Sequence, residues 1–188
     1  MKIKIHCFEG EWSRNRELSI RPLINLLEQA YMSAGKHLTY SYKFCQTIKR
    51  LEENLKLDGR SFSVRTYRHC LYFAFHGDGG GLSNSEGDEF ISFAQIGEIL
   101  AHKTNKSILF FGSCGTRTSQ AELLKLKNAT NAALVVGYGS TVAWINSSLF
   151  EVLFFSELCG YQKLGAFKNK MQKLASEGLF ANLKVQFV

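Results

Sequence analysis

Proline is nearly absent from this chain: Pro22 is the only one among 188 residues. There is no glycine-proline repeat, and 45% of residues are apolar and 13% aromatic, which excludes fibrous and disordered classes. No apolar run approaches the ~20 residues that a bilayer span requires, so no membrane partner is expected. Residues 1–7 alternate polar and apolar and soon meet Glu9 and Glu11. That stretch lacks the continuous apolar core of a signal peptide and reads as a first strand.

The cysteines, at positions 7, 45, 70, 114 and 159, are odd in number and show no close pairing. A disulfide framework is therefore excluded, and a reducing, cytoplasmic setting is expected. No CxxC or Cys/His metal spacing occurs, so no metal is expected. Gly77 to Gly81 lacks the lysine and serine or threonine of a phosphate loop, and it fails the dinucleotide pattern at Leu82. No cofactor is expected. Gly137-Tyr138-Gly139-Ser140 is not a nucleophile elbow. The net charge of +7 comes from lysines and arginines scattered over several helix faces, with no basic patch or aromatic RNA motif. Nothing in the sequence points to a nucleic-acid partner.

What is present is alternation of strands and helices. Residues 2–8 and 38–44 read as strands, as do 70–75, 107–111 and 132–136; helical spacing is seen around 23–31, 48–57, 93–100, 119–126, 144–158 and 167–175. Residues 62–67 are a short extended segment, 77–87 a glycine-rich loop and 182–188 a last strand. Several strands have no polar face. The pattern predicts an α/β fold: a three-layer α-β-α sandwich around a mostly parallel sheet of about six strands, with 1–188 as one domain.

Two apolar strands end in reactive residues. Cys70 to Phe75 stops at His76-Gly77, and Ser107 to Phe111 leads through Gly112-Ser113 to Cys114-Gly115. As parallel neighbours, they would bring an imidazole and a thiol to the carboxyl edge of the sheet, where ligands sit in open α/β folds. Cys114 would be the nucleophile and His76 the proton shuttle, and the N–H groups of Gly77 and Cys114 could face an oxyanion. The plainer reading keeps Cys114 as a partly buried thiol and His76 as a turn residue.

These two strand ends, with the segment 133–158 that follows, resemble the caspase-like cysteine peptidases: caspases, metacaspases, gingipain-like and separase-like enzymes, and in pattern most of all the bacterial CHAT proteases. The resemblance implies a caspase-like fold and a thiol protease that hydrolyses protein or peptide substrates through a cysteine-histidine dyad. His76 would be the general base and acid, Cys114 the nucleophile and Gly77 part of the oxyanion site. The pocket for the side chain before the scissile bond would be lined around Glu9 and Glu11, around Gly112, and around Tyr138 to Trp144. Gly112 stands where caspases carry a glutamine and metacaspases an aspartate. Glu9 or Glu11, with Asp78, would receive a basic side chain, whereas Arg14 and Arg16 would favour an acidic one, so the sign of the pocket stays open. Control by a regulatory partner, or by a homodimer through the C-terminal edge strand, is expected in place of internal cleavage. The alternative is a catalytically silent caspase-like scaffold or interaction module.

Overall fold

The computed structural model describes residues 2–11, 18–58, 67–84, 87, 89–112 and 119–188. Its main sheet has six strands: β1 (Lys2–Glu9), β2 (Leu38–Phe44), β3 (Tyr67–Ala74), β7 (Ile108–Phe111), β8 (Leu134–Tyr138) and β9 (Val185–Phe187). They lie in the order β2-β1-β3-β7-β8-β9. All neighbouring pairs are parallel except β8 with β9. The expected mixed α/β sandwich with a mostly parallel sheet is observed.

Continuous apolar runs make the inner strands suitable for burial on both faces. On one face pack α1 (Arg21–Ser33), α5 (Trp144–Leu158) and α6 (Leu164–Ala175). Ile24, Leu27, Phe150, Phe154 and Phe167 meet Ile3, Ile5 and Phe110 there. On the other face lie α2 (Ile48–Asp58), α3 (Phe93–Leu100) and α4 (Gln120–Thr130). Leu51, Leu55, Ile96 and Leu123 cover Leu71, Leu109 and Val135. Phe8 stacks on Phe73 and Phe73 on Phe111, at 5.6 and 4.8 Å between ring centroids. This ladder of cross-strand aromatics crosses β1, β3 and β7 at their carboxyl ends and pins their register.

Helix boundaries follow local chemistry. Pro22 sits in the first turn of α1, where its missing N–H costs nothing. Gly35, at φ +68°, lies just beyond the end of α1. Ser119 caps α4 as its position suggests, in a reciprocal box with Glu122, and Ser92 does the same for α3 with Gln95.

Two expectations need correction. The glycine-rich stretch is not simply a loop: β4 (His76–Asp78), β5 (Gly81–Ser83) and β6 (Phe90–Ser92) form a small antiparallel sheet. Gly81 has no room for a side chain, because a Cβ would stand 2.2 Å from the Ile91 carbonyl oxygen. Here glycine permits close strand approach and does not mark a loop. The last strand is also shorter than 182–188. A 3-10 helix takes Gly178–Leu183, and Lys184 turns the chain at φ 47° before β9. Most of the proposed segment 62–67 lies outside the described residues.

Candidate active site

The sheet order makes β3 and β7 parallel neighbours, with Cys70 opposite Ile108 and Phe73 opposite Phe111. One residue further, the Gly112 N–H donates to the Phe73 carbonyl at 2.9 Å. His76 lies three residues beyond Phe73, half-buried, where the chain leaves the main sheet to start β4. Cys114 lies two residues beyond Gly112 and falls outside the described residues.

Gly77, the other candidate oxyanion donor, is half-buried in β4 and pairs with Leu82. The backbone of Asp78 pairs with Gly81, and its side chain is not among those described. Gly112 is dictated by packing: a Cβ there would lie 2.4 Å from the Tyr72 hydroxyl oxygen and 2.6 Å from its ring.

Four of the five cysteines are described. Burial raises the thiol pKa of Cys7, Cys45 and Cys70, and pushes Cys159 up to about 11. Thiols so shifted are poor nucleophiles. His6 and His69 form a buried pair, Nε2 to Nδ1 3.0 Å, and Ser41 Oγ lies 3.2 Å from His6 Nδ1. His69 stands five residues before the end of β3 at Ala74, about 17 Å of strand, so the pair lies well away from the carboxyl edge. Among the described residues, no three His, Cys, Asp or Glu side chains converge as a metal site.

The ends of β1 and β2 enclose a cavity of about 240 Å³, bounded by Glu9, Glu11, Ser19, Arg21, Tyr42 and Phe44, with Gly10 and Leu18. Glu9 is almost fully buried and accepts from the Ile20 N–H, the Ser19 hydroxyl and the Tyr42 hydroxyl at 2.8, 2.8 and 2.5 Å. Its carboxylate ties the start of α1 to the end of β1. Burial is the main cause of the raised Tyr42 pKa, followed by the bond to Glu9. Glu11 is less deeply placed on the same wall. The Arg21 guanidinium lies 5.0 Å from the Tyr42 ring centre.

Arg21 was missed by sequence reasoning, since only the fold folds α1 back over the end of β2. Arg14 and Arg16 lie outside the described residues. Tyr138, expected at the pocket wall, is enclosed in the core, its hydroxyl 3.0 Å from Glu151 Oε1 and 3.4 Å from the Ser147 carbonyl oxygen. Trp144 is half-buried at the first residue of α5. Glu151 was also missed, although a carboxyl within the apolar helix 144–158 was a visible signal. It is 2% exposed, and Tyr72 donates to its Oε2 at 2.6 Å.

A family model matches residues 2–177. The chain belongs to DUF6642, a family of unknown function. No curated protein matches this DUF6642 member. Among solved structures it is similar to a secreted C11 cysteine protease from Bacteroides thetaiotaomicron, determined by X-ray in complex with an irreversible peptide inhibitor. The identity is 10% and the TM-score 0.48; the match covers 75% of this chain and 49% of the protease. The chain thus spans about half the length of that protein.

Proposed function

We propose that this chain is a caspase-like cysteine endopeptidase domain with Cys114 as nucleophile and His76 as general base and acid. The observation that carries the reading is the adjacency of β3 and β7, closed by the bond from Gly112 to Phe73. His76-Gly77 and Cys114-Gly115 therefore follow neighbouring parallel strands at their carboxyl ends, the usual place for chemistry in such sheets. Burial raises the thiol pKa of the other four cysteines, which supports Cys114 as the nucleophile.

In this reading His76 takes the thiol proton, and the sulfur attacks the carbonyl carbon of the scissile bond. The N–H groups of Gly77 and Cys114 hold the negative oxygen of the tetrahedral intermediate. The imidazolium gives its proton to the departing amine as the C–N bond breaks, leaving a thioester on Cys114. A water, deprotonated by His76, then attacks that thioester and frees the carboxylic acid and the thiol.

The cavity at the ends of β1 and β2 supports a basic side chain before the scissile bond. Two carboxyl side chains, Glu9 and Glu11, line it against one guanidinium, Arg21. Glu11 makes the direct contact with the substrate, and Glu9 orders the wall. Fluorogenic peptides differing only in that side chain test the reading. Cleavage after arginine or lysine, abolished by Cys114→Ala, is expected. Cleavage that survives Cys114→Ala, or no turnover of any peptide, contradicts it.

A further inference from the structure

A second groove, between α3 and α4, shares no lining residue with the cavity at the ends of β1 and β2. It encloses about 680 Å³ and ends against the small sheet, at the β4–β5 turn and Phe90 of β6. Small residues create it. Ala94, Gly97 and Ala101 recur at three- and four-residue spacing, so they share one face of α3, and Ala129 of α4 lines the same space. At Gly97 the two helices touch: a Cβ there would stand 3.3 Å from Ala129 Cβ and 3.4 Å from Leu126 Cδ1. Ala94 and Ala129 are exposed and too short to fill the groove.

The end at the small sheet has a different chemistry. Gly80, at φ +99°, and Gly81 are neighbours there, and each leaves room for another residue's side chain. A Cβ on Gly80 would stand 3.0 Å from Glu122 Oε1, and one on Gly81 would stand 2.5 Å from Phe90 Cζ. Phe90 is a large ring left 45% exposed. Glu122 uses only Oε2 in the α4 cap, accepting from the Ser119 N–H at 2.9 Å and the Ser119 hydroxyl at 2.8 Å. Those bonds hold its carboxyl below the usual range, so it is ionised at neutral pH. Its Oε1 has no hydrogen bond among the described residues. The charged residues lining the groove are Glu98, Glu122 and Lys125, an acidic balance on a chain whose net charge is +7.

We propose that this groove binds a small organic cation, its apolar body along Ala94, Gly97 and Ala129 and its ammonium group against Glu122 Oε1 and the Phe90 ring. The volume is that of a small-molecule site. An ammonium donates to Oε1 without disturbing the cap, because the cap uses the other oxygen. The face of an exposed aromatic ring attracts the same charge. An anionic ligand would meet two carboxylates and only one lysine. This site does not depend on the peptidase reading.

The test is isothermal titration calorimetry of the full chain with phenethylamine, and with phenethyl alcohol and phenylacetate as its neutral and anionic counterparts. The amine is expected to bind one-to-one with a Kd of about 1 mM or tighter. The alcohol should bind about tenfold more weakly, the difference that one charge-assisted hydrogen bond makes, and the carboxylate more weakly still. Glu122→Gln preserves the capping box, as Gln95 does in the matching box of α3. It should lower the affinity for the amine to that for the alcohol, with thermal unfolding unchanged. Ala94→Leu fills the groove from an exposed helix position and should weaken amine and alcohol alike by about tenfold. Absence of saturable amine binding, tighter binding of the carboxylate, or amine affinity that survives either substitution overturns the site.

Discussion

Gly112 donates its backbone N–H to the Phe73 carbonyl at 2.9 Å, extending the pairing of β7 with β3 one residue past their last register pair. This contact keeps the ends of β3 and β7 side by side. It is possible only because residue 112 has no side chain to strike Tyr72.

Gly112→Ala is therefore expected to destabilise the protein by about 1–3 kcal/mol, the usual cost of overpacking a core. Tyr72 cannot swing away without losing Glu151. Tyr72→Leu, which shortens the obstructing side chain, should make the added methyl less costly. Urea unfolding of both single variants and the double variant measures that coupling; additive losses would mean that the two residues do not collide.

Acid should weaken the fold through His6. Its pKa is lowered from 6.5 to about 3, chiefly by burial and then by His69, Lys4 and Lys43. A depressed pKa means that the unfolded chain binds the proton more readily. The stability held by neutral His6 is complete above pH 6.5 and drains as pH falls toward 3, by at most about 1.4 kcal/mol per pH unit. His6→Gln should flatten that slope in urea unfolding series taken between pH 6.5 and 4.

Glu151 acts in the opposite direction. Its folded pKa of about 8 lies above the 4.5 of a free carboxyl. The folded protein keeps a proton that the unfolded chain releases, so stability falls as pH rises from 4.5 to 8 and levels off beyond. Glu151→Gln should remove this decline, leaving a variant whose stability relative to wild type improves as pH rises from 5 to 8. Chemical unfolding at a series of pH values reads it directly.

Glu9 and Glu11 should separate by role. Glu9→Gln disturbs a buried carboxylate with three donors, and about 1–3 kcal/mol of stability should be lost with it. Glu11→Gln should leave unfolding nearly unchanged and reduce kcat/KM for lysyl and arginyl peptides about tenfold relative to neutral ones, the value of one charge pair in a cavity. Peptide kinetics and thermal unfolding on the same preparations check both.

The central strands were legible because the runs ending at Phe75 and Phe111 contain no charged residue and no polar face. α5 was legible to the residue at both ends. The hairpin β4–β5 was hidden by its own glycines, which signal a loop in sequence but serve close packing against Ile91. The last strand lost half its length because Asn182 and Leu183 belong to a 3-10 helix, although the alternation continued through them. Glu9 closes β1, and Glu11 follows two residues later, as the first-strand reading implies. Sequence could not show that Glu9 is tied to Ile20, since that bond depends on how α1 returns over β1. Tyr138 followed the expected strand, but strand register turns its side chain inward toward Glu151.

The most direct measurement is mass mapping of the adduct formed with a peptidyl electrophile carrying lysine or arginine beside the reactive group. Cysteine peptidase chemistry requires modification at Cys114, and its rate must collapse in His76→Ala while the variant remains folded. Modification elsewhere, or labelling of Cys114 at an equal rate with and without His76, would contradict the peptidase and leave an α/β sandwich without that chemistry.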